Sequence, residues 1–136
     1  MATFVLIHGA GDVGWYWHLT GSELRRRGHD VVAPDLPCDR EGATLVDYAD
    51  AVVEAVGDRR DLVVVGQSYG GFTAALVAAR LPTDVLVFVA GMVPAPGEKP
   101  GDWWEDTGYP QAVAVALSRP AELAELLDGY ARPSPG

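Results

Sequence analysis

Apolar positions fall into two rhythms along this chain. Phe4-Val5-Leu6-Ile7, Val31-Val32-Ala33, Leu62-Val63-Val64-Val65 and Val85 through Ala90 are short unbroken apolar runs, closed respectively by His8-Gly9, Pro34, Gly66 and Gly91. A run of that kind predicts a strand buried on both faces, the condition of a parallel sheet covered by helices. Between the runs the period lengthens. Leu45, Tyr48, Ala49, Val52, Val53 and Val56 recur at i, i+3, i+4, i+7, i+8 and i+11, one face of a helix. Thr44 is placed to cap its start and Gly57 to end it. An earlier helix ends through Leu24 and Arg25-Arg26-Arg27, cations that complement the helix dipole, before Gly28. A third, alanine-rich and nearly all apolar, runs from about Gly70 to Arg80 and is stopped by Pro82.

The alternation reads as a βαβαβαβ unit, an α/β fold whose right-handed crossovers put helices on both faces of a four-stranded parallel sheet. Beyond the fourth strand, Met92 to Pro110 is dense in proline, glycine and acidic residues around Trp103-Trp104 and reads as a long loop. A last helix from about Pro120 to Tyr130 presents Leu123, Leu126, Leu127 and Tyr130, with Ser118 as its cap, and the tail from Arg132 to Gly136 is expected to fray. With 136 residues, 49% hydrophobic and 21% charged, one globular domain over 1–136 is expected.

Charge narrows the partners. A net charge of −9 disfavours phosphate backbones and anionic membrane surfaces, so no nucleic acid and no membrane partner is expected. One cysteine, Cys38, and three scattered histidines supply neither a disulfide nor a metal cluster, so no metal and no cofactor is expected. The N-terminus lacks a basic n-region and no stretch reaches the roughly 18 apolar residues that span a bilayer, which points to the cytoplasm.

The strongest chemical signal is Gly66-Gln67-Ser68-Tyr69-Gly70-Gly71, a G-x-S-x-G pattern set between a buried strand and a helix. In that context the serine sits on a cramped bend, and glycines on either side avoid clashes with neighbouring backbone. The rival explanation is a glycine-rich helix start with a capping serine. His8-Gly9-Ala10-Gly11 closes the first strand with a small-residue turn whose N–H groups can face a developing oxyanion. In a sheet of order 2-1-3-4 the ends of the first and third strands are neighbours at the switch point, so the two segments converge.

Together FVLIHGAG with WYW, GHDVVAPDLP, DLVVVGQSYGG and VLVFVAGMVP resemble the α/β-hydrolase superfamily, particularly its small methylesterase and hydroxynitrile lyase-like branch. The resemblance covers residues 3–94, and LSRPAELAELLDGY is similar to the branch's terminal helix. It implies a truncated hydrolase fold acting on a small carboxylic ester, with Ser68 as nucleophile and the backbone N–H groups of Ala10 and Tyr69 as the oxyanion hole. His8, Gly9, Gly66 and Gly70 support those motifs, and Asp12, Trp15, Tyr16 and His18 would lie near the pocket entrance. In that family an acid and a histidine follow the nucleophile. No histidine follows Ser68 here, and the positions that would carry them fall in a gap between about Gln111 and Leu117.

Of His8, His18 and His29, the first and last read as structural and His18 as the least poor substitute base. Asp102, with Glu105 and Asp106, is the candidate for a displaced acid, against a plain solvated loop. Weak acyl transfer is therefore expected, with an inert remnant or small-ligand binding module, and lyase chemistry on a cyanohydrin-like substrate, as alternatives. Gly9, Gly11 and Gly14 also match a dinucleotide fingerprint with Asp30 or Asp35 further on, a minor alternative that leaves the Gly66 to Gly71 bend unexplained. The fourth strand would leave an unpaired edge, where a homodimer can form.

Overall fold

A computed structural model describes residues 1–107 and 120–131. Four strands, β1 (Thr3–Ile7), β2 (Asp30–Val32), β3 (Leu62–Gln67) and β4 (Thr83–Val89), form one parallel sheet in the order β2-β1-β3-β4. This is the α/β arrangement read from the apolar runs, in the expected strand order 2-1-3-4. The register sets Phe4 beside Val31 and Val63, and Val5 beside Val32 and Val64. Because side chains alternate across a strand, these two rows face opposite ways.

Each row finds its own helices. Phe4, Leu6, Val63 and Val65 pack with Leu24 of α1 (His18–Arg26) and with Leu123, Ala124 and Leu127 of the terminal helix (Pro120–Ala131). Val5, Ile7, Val32 and Val64 pack with Ala49, Val52 and Val56 of α2 (Leu45–Val56) and with Ala74 and Val77 of α3 (Gly70–Arg80). A fully buried side chain of this size is worth about 1.5–3 kcal/mol, so the two layers fix which way every strand faces. Thr44 caps α2 as its sequence predicts, in a reciprocal box: the Asp47 N–H donates to Thr44 Oγ1 at 3.3 Å and the Thr44 N–H to Asp47 Oδ2 at 2.7 Å.

The stretch read as a loop after β4 contains a helix, α4 (Pro100–Thr107). Its proline stands in the first turn, where a missing N–H costs nothing. Trp103 then anchors it, buried against Phe72 and Met92, with its indole N–H donating to the Val93 carbonyl at 3.1 Å. The terminal helix, α5, follows its predicted bounds closely. Ser118, the segment 111–117 and the tail from 132 lie outside the described residues, as do the side chains of Glu105 and Asp106. β4 forms one edge of the sheet, with Val85, Leu86, Val87 and Phe88 half-buried, the surface where the sequence anticipates a second copy. Among the described residues no helix is long and apolar enough to cross a membrane.

Candidate active site

β3 runs straight into α3 through Ser68 and Tyr69, and the chain bends sharply between them. Ser68 has φ +52°, left-handed backbone that a side chain with a Cβ adopts at a cost of order 1–3 kcal/mol. Three hydrogen bonds hold it there. The Ser68 N–H donates to the Val89 carbonyl at 3.2 Å, and the Ser68 carbonyl accepts from Gly71 at 3.0 Å and from Met92 at 2.9 Å. The bend is thus stitched to the exit of β4 as well as to α3.

The glycines around it are required by contact. A Cβ on Gly66 would lie 2.7 Å from the Gly70 carbonyl oxygen, and one on Gly70 would lie 2.6 Å from the His8 carbonyl oxygen. On Gly71 it would fall on the Met92 carbonyl oxygen. The turn after β1 closes on the same point: a Cβ on Gly9 would stand 3.3 Å from Ser68 Cβ. Two segments 59 positions apart by their numbers, 68 less 9, therefore meet at one place, as the strand order requires. Ser68 and Tyr69 are half-buried, whereas Ala10 is exposed. Among the described residues, the backbone N–H groups of Ala10 and Tyr69 find no protein acceptor. The N-terminus of α3, with its partial positive charge, begins at the next residue.

The other residues singled out in the sequence are distributed differently. His8 is fully buried, with both ring nitrogens engaged: Nε2 lies 3.0 Å from the Leu36 nitrogen and Nδ1 2.8 Å from the Gly9 carbonyl oxygen. His18 lies at the start of α1, its ring stacked on Trp15 at 3.8 Å between centroids and its Nδ1 donating to the Trp15 carbonyl at 2.9 Å. It borders a cavity of about 310 Å³ lined also by Trp17, Arg25 and Val31, with no residue of the Ser68 bend in its wall. Tyr16, expected near an entrance, is buried in the core beside Trp17, while Asp12 borders a separate cavity of about 350 Å³ with Gly11, Leu36 and Cys38. Asp102 is exposed in the first turn of α4. All three imidazoles of the chain are described, and none is hydrogen-bonded to Ser68.

His29 has a partner that local pattern did not suggest. Its Nε2 donates to Asp128 Oδ1 at 2.6 Å and its Nδ1 accepts from the Ala2 N–H at 3.1 Å. A second group missed from sequence gathers beside the bend. Hydrogen bonding to the Cys38 sulfur, then burial, pushes the Tyr48 phenol up to about 12. Burial first, and Cys38 second, also raises Tyr69, so both phenols stay neutral in this corner.

The glycines of the alternative dinucleotide pattern have other reasons to exist. A Cβ on Gly14 would fall on the Ala33 carbonyl oxygen, and the Gly14 N–H is already taken by Asp35 Oδ1 at 2.7 Å. Asp30 starts β2 instead of ending it and is paired with Arg59, away from that turn. Among the described residues no group of His, Cys, Asp and Glu converges as metal ligands do.

Parallel order β2-β1-β3-β4, helices on both faces and a bent serine at the switch point define a hydrolase-type α/β protein. The chain belongs to the alpha/beta hydrolase family, whose model matches residues 4–135. Among curated proteins it is similar to Esterase PIR7B of Oryza sativa subsp. japonica, 34% identical over 72% of this chain and 41% of that protein. It is also similar to the Carbendazim hydrolyzing esterase of Nocardioides sp. (strain SG-4G), 33% identical over 72% of this chain and 45% of that one. Norfluorocurarine synthase 2 of Strychnos sp is 37% identical over 67% and 39%. The chain thus spans less than half the length of these relatives. The solved structure of polyneuridine aldehyde esterase superposes over 98% of this chain and 73% of its own, with a TM-score of 0.69 at 22% identity, a likeness of fold.

Proposed function

We propose that this chain carries the acylation half of an esterase site: Ser68 Oγ attacks the carbonyl of a small carboxylic ester, and the N–H groups of Ala10 and Tyr69 receive the oxyanion. The carbonyl–oxygen bond of the ester breaks, the leaving alkoxide takes a proton from solvent to depart as the alcohol, and water then hydrolyses the acyl-Ser68 to release the carboxylic acid. The observation that carries this reading is the left-handed bend at Ser68 with Gly9 packed against it and two unengaged N–H groups alongside. Preorganised donors of this kind act on the charge that develops in the transition state. The esterase names of the relatives agree with the class of reaction.

The proton on Ser68 Oγ is the weak point. With no imidazole hydrogen-bonded to it, that proton leaves to solvent. Loss of the histidine from a serine–histidine pair lowers turnover by about 10⁶-fold, leaving roughly 10³ to 10⁴ over water from the oxyanion donors and binding. A second reading, an inert module that binds a small ligand without transforming it, is favoured by that same absence. Modification by a fluorophosphonate probe, followed by intact mass, separates them. Slow single-site labelling that disappears in Ser68→Ala supports acyl transfer, and no labelling of the unaltered chain at any probe concentration supports the module.

A further inference from the structure

We infer that His8 is a positioning residue: its buried ring sets the direction in which the Ala10 N–H points, an assignment that rests on the acyl-transfer reading for its purpose but not for its geometry. A backbone N–H can only donate, so the 3.0 Å contact from the Leu36 nitrogen makes His8 Nε2 an acceptor. The ring proton then sits on Nδ1, which donates to the Gly9 carbonyl at 2.8 Å. One neutral tautomer satisfies both partners.

The Gly9 carbonyl and the Ala10 N–H belong to the same peptide plane. The chain contains no cis peptide among its described residues, and in a trans peptide the two groups point in opposite directions. Drawing the Gly9 oxygen inward onto a fully buried imidazole therefore turns the Ala10 N–H outward, where Ala10 is exposed and its N–H has no protein acceptor. A Cβ on Gly9 would stand 3.3 Å from Ser68 Cβ, so this plane borders the Ser68 bend.

The opposite orientation is the hazard. Glycine resists rotation about its own bonds less than any other residue, and Gly9 sits where a Cβ would press on Gln67 Oε1 at 2.6 Å and on Ser68 Cβ at 3.3 Å. Rotating the 9–10 plane by half a turn would present a carbonyl oxygen where an oxyanion develops. The Nδ1–H bond opposes that rotation. The Nε2 bond secures the ring from the other side, to the segment after β2 that Asp35 also ties to Gly14 at 2.7 Å.

Two substitutions divide the ring's roles in the full chain. His8→Asn places an amide N–H near the Nδ1 position and loses the acceptor for Leu36, whereas His8→Gln places an amide near the Nε2 position and loses the donor to Gly9. A nuclear Overhauser contact between the Ala10 N–H and Ser68 Hβ tells an N–H turned toward the Ser68 bend from one turned inward. The expected result is a wild-type contact in His8→Asn and a contact weakened or lost in His8→Gln. Ser68 phosphonylation should slow on the order of 10²-fold in His8→Gln, as when one oxyanion donor is lost, and recover in His8→Asn.

An unchanged Ala10 N–H to Ser68 Hβ contact in His8→Gln overturns the inference, as does equal slowing in both variants in step with their melting temperatures. Should neither variant fold, ¹⁵N shifts of the His8 ring in the unaltered protein decide: a protonated Nδ1 with a bare Nε2 supports the inference, and the reverse tautomer overturns it. If the Ala10 contact behaves as expected while the unaltered chain is never phosphonylated, the acyl-transfer reading fails and the positioning role stands.

Discussion

The two ends of the sheet are built on different principles. At the ends of β1 and β3, where Ser68, Gly9 and Gly70 meet, strained backbone is held by close glycine contacts and backbone hydrogen bonds. At the other end, charges are paired. His29 meets Asp128, Arg27 approaches Asp128 at 3.8 Å, Arg59 holds Asp30 at 2.7 Å, and Glu23 binds both Arg26 and Arg27. The chain therefore owns a serine in a strained bend and a histidine–carboxylate pair, yet sets them apart. His29 sits one residue before the Asp30–Thr3–Leu62 row and Ser68 six residues beyond it, a separation along the strands of about 23 Å at roughly 3.3 Å per residue. What a triad needs in one place is here divided between an end that could do chemistry and an end that joins α5 to the start of the sheet.

Breaking each end separately sharpens that contrast. The largest effect is expected at the strained end from Gly71→Val, whose Cβ falls on the Met92 carbonyl while the Met92 N–H holds Ser68. Backbone has to move, at about 3 kcal/mol, and both melting temperature and Ser68 labelling should fall together. At the paired end, Asp128→Ala strands the His29 N–H in a nearly buried setting. A loss of about 1–2 kcal/mol in urea unfolding is expected, with the labelling rate per folded molecule unchanged. A parallel fall in labelling would show that the ends are coupled.

The smallest effect concerns acid. A hydrogen bond from Arg26 chiefly, opposed by partial desolvation and reinforced by Arg27, draws the Glu23 carboxyl from 4.5 down to about 2. A carboxyl whose pKa is depressed on folding stabilises the fold above its ordinary value. That contribution drains away as pH falls from 4.5 toward 2. Melting curves of Glu23→Gln should therefore lie slightly below wild type at neutral pH and converge with it as pH approaches 2.

Most of the frame was legible because it is written in local pattern. Unbroken apolar runs gave the strands, and the i, i+3, i+4 spacing and Thr44 gave α2. The Gly66 to Gly71 spacing marked the bend because backbone contact leaves room for no other residue there. α4 was not legible: proline and glycine around it mimic a loop, and the anchor that makes it a helix is the distant contact of Trp103 with Phe72 and Met92. Pro100 at the first turn with Asp102 behind it was the available signal. The His29–Asp128 pair spans 99 positions, and the corner of Cys38, Tyr48 and Tyr69 joins three elements, so neither leaves a trace in any window of sequence. His18 read as the least poor substitute base once His8 and His29 read as structural, but its stacking on Trp15 commits it elsewhere.

On the acyl-transfer proposal, Ser68 is poised for acylation and wants a base. The most direct test is the phosphonylation rate of Ser68 with and without added imidazole, with Ser68→Ala as the blank. A slow reaction at Ser68, accelerated by imidazole in proportion to its concentration, is the predicted result. Fast labelling indifferent to imidazole, or labelling that persists in Ser68→Ala, would contradict it.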